Sequence, residues 1–299
     1  MRLRRLIAAY KPDIVQTWMY HADLMGGIAA RAAGIKAIVW SIRNTKVPLE
    51  GPVQWSLSRL CALLSYGLPR AIVCVAETAR QAYARAGYKK SIMSVIPNGY
   101  DFAPFNAALA EPRSSGMSPG ELVIGCVGRW HPDKGLDLLV SAGARLSADH
   151  RVKYLLVGRG CTQDNTELRA QIERAGLVDA VELLGERSDV PAQLARMDIF
   201  CMPSRTEGFP NGLAEAMAMR RFCVATNVGD TGLLLGDAGM LVASANTEAL
   251  AGALSSALGL SWGEREAVGH AAGNRVRALF GINTMWARHQ DLYRQLQRE

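Results

Sequence analysis

Glu207 and Glu215, with seven residues between them, mark the stretch of this chain best suited to chemistry. They sit in Ser204-Arg205-Thr206-Glu207-Gly208-Phe209-Pro210-Asn211-Gly212-Leu213-Ala214-Glu215. The apolar run Asp198-Ile199-Phe200-Cys201-Met202 before it reads as a buried strand, and the Ala- and Met-rich run after it as a helix. Gly208, Pro210 and Gly212 keep the loop out of a helix until about Asn211, the expected N-cap. Glu207 is then a loop residue at the carboxyl end of a strand, and Glu215 projects from the first helical turn. Free N–H groups of that turn favour a phosphate in the same crevice. Paired carboxylates fit either acid-base hydrolysis or acceptance of hydrogen bonds from sugar or ribose hydroxyls. A capping box fits less well, because Asn211 stands four residues before Glu215 rather than three.

Cations occupy comparable places. A strand over 121–127 leads into Gly128-Arg129-Trp130-His131-Pro132-Asp133-Lys134-Gly135. Arg129 offers a fork of donors and Lys134 a point charge, which together suit one diphosphate. The same loop is also explained if its cations pair with Asp133 or Asp137. The next strand ends in Gly158-Arg159-Gly160, where small residues admit a ring or phosphate close to the backbone, or simply turn the chain. Leu184-Gly185-Glu186-Arg187-Ser188-Asp189 either meets a base through its backbone or is a solvated loop with Asp189 as a helix cap. Nearer the start, His21 stands just beyond a strand ending near Trp18 and fits a site or a surface role. Arg43, Asn44 and Lys46 follow the apolar run 37–42; they are candidates for acceptor contact or belong to a solvated loop.

The elements that must hold these residues are short apolar strands alternating with helices, the pattern of parallel α/β sheets. With 299 residues, 49% hydrophobic and 20% charged, the chain can bury two cores. The expected division is a Rossmann-like domain over 1–105, a linker over 106–120 rich in Ala, Pro, Ser and Gly, and a fuller Rossmann-like domain over 121–282. A last helix over 283–299 is expected to pack back toward the first domain. No apolar run approaches the ~18–20 residues of a membrane span. The basic start has too short an apolar stretch before Lys11-Pro12-Asp13 to read as a signal peptide. Six cysteines without ligand spacing read as buried thiols of a reducing cytosol and argue against zinc. Residues 1–105 carry 14 Lys and Arg against 5 acids, a net +9, whereas the remainder is −2. That asymmetry suggests an anionic partner or membrane surface, or ordinary solvated arginines. No basic-aromatic cluster accompanies the charge, so nucleic acid is not an expected partner.

Taken together, these residues resemble glycosyltransferase family 4, the retaining enzymes of the GT-B fold. The likeness is carried by Lys11-Pro12-Asp13-Ile14-Val15, the His21 segment, Val95-Ile96-Pro97-Asn98-Gly99-Tyr100-Asp101, Gly128-Arg129 with Lys134-Gly135, the glutamate pair, and Val228-Gly229-Asp230. It runs over nearly the whole chain; each motif is weak alone, and their order and spacing are specific. The resemblance implies transfer of a hexose-type sugar from a UDP- or GDP-sugar, with retention of configuration and without a metal or other cofactor. The implied acceptor is a glycan or lipid-linked molecule of bacterial surface polysaccharide, reached in the cytoplasm or at the inner face of an anionic membrane.

Carried over residue by residue, the resemblance makes Glu207, His21, Arg129 and Lys134 the catalytic group. Gly128, Arg129, Lys134, Gly158 and Arg187 join Glu207, Gly208, Phe209, Pro210, Asn211, Gly212, Leu213 and Glu215 around the donor. Arg129 and Lys134 would hold the diphosphate, Glu207 the sugar hydroxyls, the N–H groups of Asn211 and Gly212 a phosphate, and Glu215 the ribose. His21 would lie near the transferred bond, with Arg43 and Asn44 on the acceptor side. Charge growing on the leaving diphosphate would then meet fixed cations and a helix N-terminus. The chain departs from the family pattern in starting at the helix before strand 13–18, without the family's opening strand and Gly-rich loop. A truncated first domain is therefore expected, with donor binding kept and turnover weak. Two competing classes are a nucleotide-sugar-binding module without turnover, and a glycosidase or phosphorylase using Glu207. The second leaves the diphosphate cations without a task.

Overall fold

A computed structural model describes residues 2–45, 47, 51–111, 120–146 and 151–298 of the chain. It divides into two compact units, Met1–Tyr100 with Ile282–Glu299, and Asp101–Gly281.

In the first unit, α1 (Arg2–Tyr10) precedes β1 (Ile14–Gln16), α2 (Tyr20–Ala32), β2 (Ala37–Ile42), α3 (Pro52–Leu64), β3 (Ala71–Cys74), α4 (Glu77–Arg85) and β4 (Met93–Val95). The four strands are parallel, in the order β1-β2-β3-β4. Each crossover steps the same way, so right-handed connections put α2, α3 and α4 on one face. The other face is covered by the chain's last helix (Ile282–Arg298). Met285, Leu292, Tyr293 and Leu296 of that helix pack on Val39, Ala71, Val73 and Ile96. Burial on both faces explains why β2 and β3 read as unbroken apolar runs.

The second unit contains α5 (Ala103–Ala110), β5 (Leu122–Val127), α6 (Leu136–Gly143), β6 (Val152–Val157), α7 (Thr166–Arg174), β7 (Val181–Gly185) and α8 (Val190–Ala195). It continues through β8 (Ile199–Met202), α9 (Asn211–Ala218), β9 (Phe222–Thr226), α10 (Thr231–Leu235), β10 (Met240–Val242), α11 (Thr247–Gly259) and α12 (Trp262–Leu279), and α13 is the last helix, of the first unit. Its parallel sheet has the order β10-β9-β8-β5-β6-β7. β5 is therefore paired on both sides, with β6 from Leu122↔Val152 to Val127↔Val157 and with β8 at Ile124↔Ile199 and Gly125↔Phe200. The order reverses there, and a doubly wound sheet opens its crevice at the carboxyl ends of such strands.

The structure departs from the sequence reading at several places. The division falls at Tyr100 and Gly281, and residues 106–110, expected in a linker, belong to α5; residues 112–119 lie outside the described residues. Ala and Leu in that stretch are good helix formers, which the Pro-Ser-Gly run after them obscures. α2 starts at Tyr20, directly after a left-handed Met19 (φ 73°).

Close packing in the second unit depends on glycine where α12 crosses the turn after α9. A Cβ at Gly269 would lie 2.2 Å from the Arg220 carbonyl oxygen, a backbone atom that cannot rotate away. Gly269→Ala is expected to destabilise the chain by about 1–3 kcal/mol in urea unfolding. Gly252→Ala, in α11 with open space around it, should instead stabilise by about 0.5–1 kcal/mol.

Candidate active site

The crevice is assembled by loops laced to one another through their backbones. Gly128 N–H donates to the Val157 carbonyl at 2.8 Å, Trp130 N–H to Arg159 at 2.8 Å, and Gly158 N–H to Gly185 at 2.7 Å. Gly158 has φ 144°, and a Cβ on it would stand 2.1 Å from the Gly128 carbonyl oxygen. The closeness anticipated at Gly158 is thus an approach of its loop to the loop that starts at Gly128.

A second set of bonds ties the loop after β8 to the loop after β5. Gly135, left-handed at φ 64°, lets that loop pass the Pro203 carbonyl, 2.1 Å from where a Cβ would be. Arg205 donates in a fork to Asp137, at 2.8 and 2.5 Å, and to the Pro132 carbonyl at 2.8 Å, while its own N–H donates to the Asp133 carbonyl at 2.8 Å. The guanidinium holds the Asp137 carboxyl below the usual carboxylate range.

Lys134 and Glu207 meet across this seam. The Lys134 ammonium donates to Glu207 Oε1 at 2.7 Å and Oε2 at 2.9 Å, and Ser204 Oγ donates to Oε1 at 2.6 Å. Glu207 is 8% exposed, so the buried carboxylate is stabilised by its counter-charge. Ser204 is fixed in turn, its carbonyl accepting from Thr226 Oγ1 at 2.6 Å. Gly229, at φ 56°, brings the turn after β9 against the Glu207 carbonyl, 2.5 Å from the position of a Cβ. Lys134 was expected on a phosphate, and here it bonds Glu207; an ammonium has three N–H donors and can hold Glu207 while donating to an anion. Arg129 is exposed and has no side-chain partner among the described residues.

The helix on this loop differs from expectation in its first turn. Asn211 is its first residue; Pro210 takes the N-cap position and no side chain caps the turn. The Asn211 N–H donates to the Phe209 carbonyl at 3.0 Å, so of the two N–H groups expected on a phosphate it is engaged within the loop. Gly212 sits where a Cβ would be 3.0 Å from the Val127 carbonyl, bringing α9 against the end of β5. Leu213 is fully buried in the core, and Phe209 is buried against Phe280, ring centroids 5.3 Å apart. Both can face a ligand only through backbone, as can Gly208. Glu215 is half-buried, without a side-chain partner among the described residues, and desolvation raises its pKa from 4.5 to about 7.

Arg187 does not join this cluster. It forks onto Asp189 at 2.8 and 2.8 Å on the surface and holds that carboxyl well below its usual range. Asp189 is at the N-cap position of α8 but caps no N–H; it accepts instead from Arg187 and from Gln193 at 2.8 Å.

In the first unit His21 is exposed on the first turn of α2, its ring 3.9 Å from that of Tyr20. It lines an open apolar groove with Leu3, Ile7, Val15 and Met25. Arg43 donates to Asn98 Oδ1 at 2.6 Å, and Asn44 accepts from the Tyr83 hydroxyl at 2.8 Å. Both therefore brace loops at the carboxyl ends of the strands; Lys46 lies outside the described residues. Sequence reasoning missed Asp23, one turn after Tyr20. It is buried, accepts from Thr17 Oγ1 at 2.5 Å and the Ser41 N–H at 3.4 Å, and burial raises its pKa to about 7. An acid in a first helical turn ordinarily faces water, and nothing in the local pattern signals that this one turns inward.

The raised Glu215 carboxyl binds its proton more tightly in the folded chain than in the unfolded one. Stability is then lost as pH rises from about 4.5 to about 7 and changes no further above that. Glu215→Gln removes the penalty: thermal unfolding of the variant should match the parent at pH 4 and exceed it by about 2 kcal/mol at pH 8. A constant difference across that range would contradict the assignment.

Comparison with known proteins places this geometry. A family model described as "Glycosyltransferase Family 4" matches residues 1–103, and one described as "Glycosyl transferases group 1" matches residues 121–259. The chain is 34% identical over 203 residues to the lipopolysaccharide core biosynthesis mannosyltransferase LpcC of Rhizobium leguminosarum bv. viciae, covering 63% of this chain and 56% of that protein. It is 25% identical over 244 residues to the UDP-Gal:alpha-D-GlcNAc-diphosphoundecaprenol alpha-1,3-galactosyltransferase of Escherichia coli, covering 78% and 62%. The chain thus spans about six-tenths of the length of these curated relatives. Among solved structures, Anabaena Alr3699/HepE in complex with UDP superposes with a TM-score of 0.88 at 21% identity, over 98% of this chain and 81% of that one. The glycosyltransferase of Rickettsia africae ESF-5 gives 0.85 at 21%, over 99% and 79%. The two parallel sheets are those of the GT-B fold, and the chain carries a glycosyltransferase family 4 domain followed by a glycosyl transferases group 1 domain.

Proposed function

We propose that the chain acts as a retaining glycosyltransferase of bacterial surface polysaccharide synthesis, moving a hexose from a UDP- or GDP-sugar to a glycan or lipid-linked acceptor. The observation that carries this is the Lys134–Glu207 pair, bolted between two loops at the sheet's reversal point and flanked by the unpaired Arg129 and the start of α9. A carboxylate for hydroxyls adjoins two cations for a diphosphate, which serves sugar-nucleotide chemistry better than hydrolysis. The relatives' names add support: one is a mannosyltransferase of lipopolysaccharide core, another takes UDP-Gal to a diphosphoundecaprenol lipid. In this reading Arg129 and Lys134 stabilise charge on the departing diphosphate, Glu207 orients the sugar, and Glu215 meets the ribose. His21, Arg43 and Asn44 serve the acceptor side, in the cytoplasm at an anionic membrane face. Transfer proceeds without a metal, so excess EDTA leaves it unchanged.

A second reading, a nucleotide-sugar-binding module without turnover, draws on the fact that every side chain assigned to the donor lies in the unit Asp101–Gly281. Calorimetric titration with UDP and GDP, beside a transfer assay with UDP-glucose, UDP-galactose and GDP-mannose, separates the two. Saturable binding of one nucleotide is expected in either case, and sugar transfer only in the first. If neither nucleotide binds, both readings fail.

Two substitutions test the residue roles. Arg129 is exposed and unpaired, so Arg129→Ala should weaken nucleotide-diphosphate binding tenfold or more, roughly 1.4 kcal/mol, without moving the unfolding midpoint. Arg205→Ala should also cost about tenfold in affinity by loosening the Glu207 loop. Adding Asp137→Asn to it should cost little more, since the two act as one pair; additive losses would show that Arg205 acts otherwise.

A further inference from the structure

Helix α3 is built the wrong way round for a helix facing water. Its buried residues are Ser58, Cys61 and Ala62, all small. Its large apolar residues point outward: Val53 is 65% exposed, Trp55 49%, Leu60 42% and Leu63 73%, with Tyr66 just beyond at 61%. Trp55, Arg59 and Leu63 follow at four-residue spacing and form one ridge, the Arg59 guanidinium lying 5.5 Å from the Trp55 ring centre. An ordinary surface helix puts apolar residues inside and polar ones outside, so an outer face of this composition marks a contact surface.

We infer that the outer face of α3 docks on an anionic phospholipid bilayer, an inference that rests on the lipid-linked acceptor reading above and names the surface that would meet the lipid. Charge selects this occupant. The described residues from α1 through α3 hold eight Lys and Arg against two acids, of which Asp23 is buried, and α3 itself carries no acid. A second copy of the chain would set one net-positive unit against another, whereas an anionic headgroup layer complements it. Trp and Tyr sit well at the headgroup level, Leu reaches the acyl boundary, and the Arg59 stem lets its charge stay among phosphates. Position agrees: α3 begins just after the Arg43–Asn44 loop at the carboxyl end of β2, the same end of the sheet at which α2 presents His21. A face docked on lipid there would hold the acceptor-side residues beside a lipid-borne substrate.

The test is sedimentation of the full chain with large unilamellar vesicles of phosphatidylglycerol and phosphatidylethanolamine, against vesicles of phosphatidylcholine alone, with UDP and GDP titration of the same samples. Binding to the anionic vesicles is expected, at least tenfold weaker in Trp55→Ser/Leu63→Ser and in Arg59→Glu. Trp262→Ser, which removes an exposed tryptophan of the other unit, should leave it unchanged. UDP affinity should be the same in all of them. No pelleting by the parent chain, equal loss in Trp262→Ser, or a concentration-dependent dimer abolished by Leu63→Ser would each overturn the docking inference. Vesicle binding without binding of either UDP or GDP would sink the donor reading and leave the docking face standing.

Discussion

The loops of the second unit depend on β5 being hydrogen-bonded on both sides, to β6 and to β8. A strand so placed cannot shift register without breaking two ladders, so the loops leaving β5 and β8 are held at a fixed separation. Side chains then bridge that separation. The Arg205 fork on Asp137 joins residues 68 apart in sequence, and Lys134 reaches Glu207 across 73. The second pair is buried on the Glu207 side, where removing either partner leaves an uncompensated charge. Such a pair is held less for stability than for position: both groups are already desolvated and aimed before any ligand arrives. Preorganised charge of this kind is most effective when new negative charge develops nearby.

The two glutamates, alike in the sequence, are different chemical groups in the structure. Glu207 has an ammonium and a hydroxyl on its oxygens; Glu215 has neither, and burial raises its pKa to about 7. A carboxyl near neutrality is ready to gain from a hydrogen-bond donor supplied by a ligand, since each such bond favours its charged form. Glu207 is thus satisfied within the fold, and Glu215 is not. In the proposed reading a ribose hydroxyl donating to Glu215 would lower its pKa and release a proton near pH 7.

Much of this was legible in the sequence because strand-loop-helix alternation leaves a strong imprint. Apolar runs such as Ala71–Cys74 and Ile199–Met202 announce buried parallel strands, and residues just beyond them must line the sheet's carboxyl edge. Hence Arg129, Lys134, Glu207 and Glu215 are all expected at that edge from the sequence, and of these Lys134 and Glu207 meet. Pairing was less visible. Arg187 and Asp189 are two residues apart, and the sequence offered no means of telling a forked surface pair from a free ligand-binding arginine. Asn211 was read as a cap from residue type, yet Pro210, fixed in φ and lacking an N–H, takes the position ahead of it. Asp23 escaped notice because inward rotation of a first-turn acid is decided by Thr17 and Ser41, on two different strand ends.

The two units divide the chemistry by charge. Acids and bases nearly cancel after residue 105, and the donor unit spends its cations in pairs: Lys134 on Glu207, Arg205 on Asp137, Arg187 on Asp189, Arg196 on Glu182. Arg129 has no acid partner among the described residues, and it stands where a diphosphate is proposed. The first unit keeps its excess of positive charge with few acids to pair it, and α3 adds to that charge a ridge of tryptophan and leucine. In the proposed reading, the Arg129 charge of the second unit is local and meets one small anion. In the first unit the positive charge is spread over helices and suits an extended anionic surface, whose attraction falls off within about 8 Å at physiological salt. Salt should therefore screen vesicle docking, which rests on many exposed charges, more steeply than it weakens recognition of one small anion.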